Sequence, residues 1–410
     1  MIFLFDWQNY FKMIRLAWNE PSRKAGVTFL VILLLWIPPV AIFHAICFFL
    51  DGLLFPGLWR TEVKQPVFIL GHARSGTTLT HRLMSKDDGR FSSFMLYEMY
   101  FPSLLQRWLI RRVAALDRKL GGRLARRVTV WDERHYARTQ STHAMSLTHM
   151  EEDDMVFYYS MASGYWISKM PYMGELDFYG LDGRDNAEAW PEKRRLRWMR
   201  FYRECVRRQL YLNGGEKVHL SKNPIFAGRV EALLETFPDA RIIVPIRNPY
   251  ETIPSLLKLV RGGWKRLGWD EGRQRSSLAV LAAQSFHTYK HPIEVLESQS
   301  EVPHAIVDYR ELQSDPAKTI EGIYRDLGLE LSPTYRYVLS GEGRREQKHR
   351  STHRYSLEEF GLEADAIREE LDDLFGRFGW DGDATGQAIE RSETVAGKEN
   401  EKVNELEEGA

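Results

Sequence analysis

The sequence predicts an α/β domain with a central parallel sheet, preceded by an N-terminal hydrophobic membrane segment. Three observations carry this reading. Residues 66–70 form an apolar strand that runs into a glycine-bracketed loop and then a helix opened by Thr77. Residues 240–246 form a second apolar strand that delivers Arg247-Asn248-Pro249 to another helix. Strands that each feed a helix mark βα units and hence a parallel sheet. Residues 27–50 are an uncharged run, about 36 Å as one helix against a hydrocarbon core of roughly 30 Å.

Composition narrows the function classes. A chain of 410 residues with 44% hydrophobic and 27% charged residues can fill the core of one large domain or two smaller ones. Its 56 basic and 56 acidic residues cancel, which excludes bulk electrostatic attraction to nucleic acid, so any anion site is local. Cys47 and Cys205 are the only cysteines. They are too few for a disulfide framework or a cysteine zinc site, and they favour a reducing compartment.

From the N-terminus, residues 1–18 mix Phe, Trp, Ile and Leu with Lys12 and Arg15, the composition of an interfacial helix. In the run 27–50, Pro38-Pro39 sits in the middle and is expected to break a helix there. Two readings stay open: a re-entrant hairpin and a single kinked span. Lys12, Arg15, Arg23 and Lys24 before the run, with Arg60 and Lys64 after it, favour both ends on one side of a membrane. The chain divides into an anchor (1–60), a main domain (61–380) and an acidic tail poor in large apolar residues (381–410).

The first loop, Gly71-His72-Ala73-Arg74-Ser75-Gly76-Thr77-Thr78, has the layout of an anion cradle. Gly71 and Gly76 permit backbone conformations that a Cβ blocks, and the following helix presents free N–H groups and its positive dipole end. Thr77 and Thr78 add hydroxyl donors. The spacing nearly fits the Walker A pattern, but Thr77 stands at the lysine position and the cation is Arg74, inside the loop. The stretch GHARSGTTLTH resembles the 5′-phosphosulfate loop of the sulfotransferases that use 3′-phosphoadenosine 5′-phosphosulfate (PAPS), in the form of a bacterial and fungal branch related to tyrosylprotein sulfotransferases.

Beyond the loop, Glu98 lies in a Tyr-Glu-Met-Tyr setting, and a partly desolvated carboxylate suits a proton acceptor. The resemblance implies the same: a glutamate after the loop is the family's usual candidate base. Residues 104–128 read as an Arg- and Leu-rich helix with a solvated or lipid-headgroup-facing polar side. His143, His149 and the acids 151–154 read as a helix start rather than a metal site; the resembling branch carries a similar acidic element near its acceptor, which makes Glu152 or Asp153 a reserve base. Residues 163–190, rich in aromatics and methionine, read either as a lid over an acceptor pocket or as core.

Arg247 at a strand's carboxyl end and Ser255 eight positions later form a fork for a second phosphate. This pair resembles the family's 3′-phosphate site, and Lys222 in Ser-Lys-Asn-Pro matches its lysine, which implies charge neutralisation at the breaking bond. Residues 307–329 resemble the family's tract around "DP" and "LGL", which implies a nucleotide contact for Tyr309, with ordinary strand packing as its other reading. The basic patch 344–350 matches the segment that covers the 3′-phosphate, through Lys348 and Arg350.

Together these imply a P-loop-like three-layer domain that moves a sulfuryl group from PAPS to a hydroxyl, with no metal required. Gly71, Arg74, Ser75, Gly76, Thr77, Thr78, Arg247, Ser255, Tyr309, Lys348 and Arg350 are expected to hold the donor, and Arg74, Lys222 and Glu98 to do the chemistry. The anchor suggests a hydrophobic hydroxylated acceptor such as a lipid, quinone, sterol or aminolipid, with a glycan or protein tyrosine as the alternative. Competing classes are a P-loop kinase or NTPase, against which the absent Walker lysine speaks, and a non-catalytic membrane scaffold. The expected location is an inner membrane with the domain facing the cytoplasm, or a Golgi type II topology.

Overall fold

The computed structural model describes residues 3–137, 145–176, 190–346 and 356–380. Its centre is one sheet of five strands in the order β2-β3-β1-β4-β5: β1 (Val67–Ile69), β2 (Phe91–Ser92), β3 (Val218–Lys222), β4 (Arg241–Ile246) and β5 (His304–Asp308). Every pairing is parallel. The strands are apolar on both faces because both faces are covered. Alternation assigns the layers: Val67 and Ile69 of β1 join one apolar cluster, and Phe68 and Leu70 join another across the sheet.

The helices of the N-terminal half are α1 (Trp7–Trp18), α2 (Arg23–Val31), α3 (Ile37–Leu54), α4 (Thr77–Met84), α5 (Leu96–Tyr100), α6 (Leu104–Lys119) and α7 (Arg123–Tyr136). Those that follow and matter below are α8 (Glu192–Asn213), α9 (Val230–Thr236), α10 (Pro249–Leu267) and α11 (Glu271–Ser298). Helix α4 packs its Leu83 and Met84 on one side of the sheet. Helices α8 and α9 bring Phe201, Tyr202, Val206 and Leu233 to the other. A third cluster joins α10 and α11 to the N-terminal helices through Trp264, Trp269, Phe29 and Leu33.

The expected break at Pro38-Pro39 does not occur, so the hairpin reading is corrected. Residues Arg23–Leu54 form one helical run of 32 residues, the one helix among those described that is long and apolar enough to cross a membrane. The prolines fall in the first turn of α3, where a missing N–H matters little, after a π-helical turn at Ile32–Trp36 that absorbs the mismatch. The Arg-rich stretch is likewise two helices, since Gly121 (φ +92°) and Gly122 (φ +69°) reverse the chain between α6 and α7. The described part of 163–190 is core: Trp166, Met170, Tyr172 and Met173 are buried. Its remainder, residues 177–189, and the tail 381–410 lie outside the described residues.

Candidate active site

The carboxyl end of β1 opens into the first loop, and two close approaches show why glycine is needed there. Gly71 has φ +131°, and a Cβ on it would stand 3.0 Å from the Pro245 carbonyl oxygen of the neighbouring β4. Gly76 has φ +98°, and a Cβ would stand 2.6 Å from the Tyr309 ring that follows β5. The loop is thus pressed between the ends of two strands. Helix α4 begins at Thr77 with no side-chain cap, which leaves that role open to an anion. Ser75 is fully buried, and its hydroxyl lies by that of Tyr289.

Arg74 has φ +74°, a left-handed conformation that costs a residue with a Cβ roughly 1–2 kcal/mol. In that conformation its Nε donates to Ser255 Oγ at 3.1 Å. The cation of the first loop and the serine of the second predicted anion site therefore meet directly. Arg247 lies just before α10: it ion-pairs with Glu251, one turn from Ser255 on that helix, and its guanidinium sits 4.5 Å from the centre of the Tyr309 ring. Tyr289 of α11 donates its hydroxyl to the Arg247 carbonyl at 2.7 Å, while its ring stacks on His72 at 4.7 Å. Burial holds the His72 imidazole down at about 4 and therefore neutral near pH 7.

Lys222 ends β3 in register with Ile69 and is fully buried. Its Nζ lies 3.5 Å from Thr78 Oγ1, 3.5 Å from Glu152 Oε1 and 3.9 Å from Glu151 Oε2. A buried ammonium is thereby set between the loop and two carboxylates, which offset the cost of its burial. Glu152 Oε2 accepts from the Tyr165 hydroxyl at 2.7 Å, and burial together with Glu152 raises that phenol well above its ordinary range. His81 on α4 is pushed down to about 3 by burial and by Lys222, and its Nε2 meets Ser93 Oγ at 3.0 Å.

The acids 151–154 do start a helical turn, Asp153–Phe157, and most of them are turned inward. Glu151, Asp153 and Asp154 are buried. Asp153 meets His219 at 2.9 Å and the Tyr202 hydroxyl. Asp154 accepts from Ser163 at 2.6 Å, and burial raises its carboxyl to about 6. Among the described residues no group of three or more His, Cys, Asp or Glu is placed to hold a metal ion.

Glu98 is also buried, but its partners lie elsewhere. It caps its own helix by accepting from Met95 N at 3.2 Å, and it meets Asn213 Nδ2 at 3.2 Å and Arg111 at 3.5 Å. Asn213 precedes the start of β3, whereas Lys222 is at the end of that strand. Lys348 and Arg350 lie outside the described residues. His72, Glu151, Tyr165 and Tyr289 carry no local signal that singles them out. Tyr289 sits inside a 28-residue helix, and only packing brings it to the loop.

Beside Glu152 an aromatic wall extends toward α3. Tyr158 and Tyr159, half-buried just past the Asp153–Phe157 turn, lie 6.3 and 6.1 Å from Tyr100, and Tyr159 lies 5.3 Å from His44 of α3. Trp166 stacks on Tyr158 at 4.5 Å.

Fold and cluster together define a parallel α/β protein whose polar site is assembled at the carboxyl ends of β1, β3 and β4, as open parallel sheets dictate. The chain belongs to the sulfotransferase family, whose model matches residues 66–333. Among relatives, it is 29% identical over 296 residues to omega-hydroxy-beta-dihydromenaquinone-9 sulfotransferase Stf3 of Mycobacterium bovis and of Mycobacterium tuberculosis, covering 67% of this chain and 68% of theirs. The crystal structure of sulfotransferase STF1 from Mycobacterium tuberculosis aligns with TM-score 0.63 and 19% identity over 88% of this chain and 91% of that one. That of STF9 from Mycobacterium avium aligns with TM-score 0.62 and 17% identity over 89% and 95%. These two likenesses establish the fold.

Proposed function

We propose that this sulfotransferase moves a sulfuryl group from PAPS to the hydroxyl of a hydrophobic, membrane-resident acceptor. The observation that carries the donor assignment is the Arg74–Ser255 contact, which joins the two predicted anion sites into one surface. A ligand with a 3′-phosphate and a 5′-phosphosulfate matches two such sites; ATP has no group for the second. The uncapped start of α4 and the buried Ser75 hydroxyl fit the phosphosulfate end. Arg247, stacked on Tyr309 and drawn to Glu251, fits the 3′-phosphate, with Glu251 giving way to the anion.

PAPS supplies an electrophilic sulfuryl group and a leaving bisphosphate. The chain supplies position and charge. Arg74 and the loop orient the donor, Thr77 and Thr78 donate to it, and Lys222 offsets negative charge on the departing oxygen from a buried position. The acceptor proton goes to Glu152, which lies beside Lys222 and is oriented by Tyr165. Glu98, the candidate that the family resemblance names, is the alternative base; its contacts with Arg111 and Asn213 support a structural role instead. By the family resemblance, Lys348 and Arg350 are further candidates to bind the 3′-phosphate.

The relative's name states a lipid acceptor with a terminal hydroxyl, and the aromatic wall from α3 to Glu152 supports the same class here. Glycan or tyrosyl acceptors lack such support. The cytoplasmic face of an inner membrane is the proposed location, since PAPS is made in the cytosol. Purified protein given labelled PAPS and vesicles containing hydroxylated lipids is expected to yield labelled lipid. Arg247→Ala and Ser255→Ala should weaken adenosine 3′,5′-bisphosphate binding by about tenfold or more each. Glu152→Gln should lower kcat by about 10² or more while Glu98→Gln chiefly lowers the melting temperature. The reverse pattern transfers the base to Glu98, and tight ATP binding with no sulfated product removes the assignment.

A further inference from the structure

The helix Arg23–Leu54 is fastened to the domain along its whole length. Buried positions recur at Ala25, Phe29, Leu33, Ile37, Cys47 and Asp51, one stripe of a single helix. Near its start Phe29 packs on Trp269 with ring centres 5.0 Å apart, and Leu33 O accepts from the Tyr10 hydroxyl at 3.0 Å. Past its middle Gln106 Nε2 meets His44 Nδ1 at 2.9 Å. Near its end Phe48 stacks on Phe201 at 5.6 Å, and Asp51 pairs with the buried Arg208 at 2.8 Å. A run of 32 residues is about 48 Å long, longer than the roughly 30 Å hydrocarbon core. A helix held at both ends by one water-facing domain cannot put those ends on opposite sides of a bilayer.

The opposite stripe has no such cover. Val27, Val31, Leu35, Ile42, Phe49 and Leu53 are each at least half exposed, with no charged residue between Lys24 and Asp51. The patch continues onto the α6–α7 hairpin, fixed to α3 by Asp51, whose carboxylate accepts from Ser103 Oγ at 2.7 Å and from Leu104 N at 3.0 Å. There Trp108, Val113, Leu116, Leu120 and Trp131 are exposed. A patch of this extent marks an interaction surface. Its borders identify the partner. Trp7, Trp18, Trp36, Trp59 and Trp131 are each more than half exposed, and tryptophan favours the headgroup level. Exposed Lys12, Arg15, Arg23 and Lys24 lie at one end, while Asp6 and Glu20 of the same stretch are buried and tied to Arg194 and Tyr172. Arg118, Arg123, Arg126 and Arg127 stud the hairpin, whose Asp117 is used in capping Leu124 and Ala125.

We infer that the protein is monotopic: Arg23–Leu54 lies in the plane of one leaflet of an anionic phospholipid bilayer, with α1 and the α6–α7 hairpin completing the docking face. The donor site need not be occupied for this, so the inference stands apart from the proposed activity.

The test uses the full chain with Cys47 and Cys205 replaced by alanine and single cysteines at Val27, Ile42 or Leu53 carrying a bimane label. Proteins are bound to phosphatidylcholine vesicles with and without phosphatidylglycerol, made with lipids brominated at defined depths. The expected result is one shallow quenching depth shared by all three labels. Vesicle binding should require phosphatidylglycerol and weaken about fivefold for each of Lys12→Ser, Arg15→Ser and Arg23→Ser. Circular-dichroism melting confirms that each variant is folded. A deep label at position 42 flanked by shallow ones at 27 and 53 would mean a span and overturn the inference. So would failure to bind vesicles, or a lipid-free dimer in light scattering whose labels are shielded from water.

Discussion

Gly76 illustrates how one residue holds the site together. Its φ of +98° is strained for any side chain, and the Tyr309 ring stands 2.6 Å from where a Cβ would go. Tyr309 also carries the Arg247 guanidinium, so Gly76→Ala has to displace the ring and the arginine with it. The expected outcome is loss of adenosine 3′,5′-bisphosphate binding by calorimetry with a cooperative thermal transition still present. The buried histidines make a second residue-scale prediction. His72 and His81 are held at about 4 and about 3, below the 6.5 of an unfolded imidazole, so the unfolded chain binds more protons. Their contribution is complete above pH 6.5 and is lost as pH falls toward 4. Asp154, raised to about 6 from 3.8, acts in the other direction over that window, but it is one group against three, since burial holds His44 at about 4 as well. Urea midpoints should therefore fall from pH 6.5 to 4.5, and His81→Asn should flatten the slope. A midpoint that rises on acidification would contradict neutral buried imidazoles.

At the scale of elements, Asp51 is the fastening between α3 and the domain. Its carboxylate accepts from Ser103, Leu104, Leu105 and Arg208, capping α6 and pairing a buried guanidinium at once. Removing one partner of a buried pair costs about 3–5 kcal/mol, so Asp51→Ala should lower the melting temperature sharply and expose Cys47 to thiol reagents. Nothing near Asp51 in the sequence announces this, because its partners come from two later helices. The same limit explains which elements were legible. The strand-to-glycine-loop unit at 66–78 and β4 leading through Arg247 to the helix that carries Ser255 are local patterns, and each of these elements appears where it was expected. The prolines at 38 and 39 misled because their effect depends on register: in a first turn they are harmless. The acids 151–154 are legible as the start of a helical turn, Asp153–Phe157, but not their partners, because only the fold brings Lys222, His219 and Ser163 to meet them.

For the whole molecule, the geometry couples where the protein sits to what it can reach. The inferred docking face includes α3, His44 of α3 lies 5.3 Å from the Tyr159 ring, and Tyr165, near Tyr159 in the chain, bonds Glu152 beside Lys222. On the proposed function and the inferred docking, an acceptor entering from the leaflet along these rings would reach the carboxylate without crossing bulk water. The rate should then follow the mole fraction of acceptor lipid within the membrane rather than its concentration in the whole sample. With enzyme saturating the vesicles, diluting the acceptor with inert phospholipid at constant bulk amount should lower turnover in proportion. Diluting the suspension with buffer at constant membrane composition should leave turnover per bound enzyme unchanged. Capture of the lipid from solution by a water-facing pocket gives the converse dependence, and observing it would separate the docking face from the acceptor route.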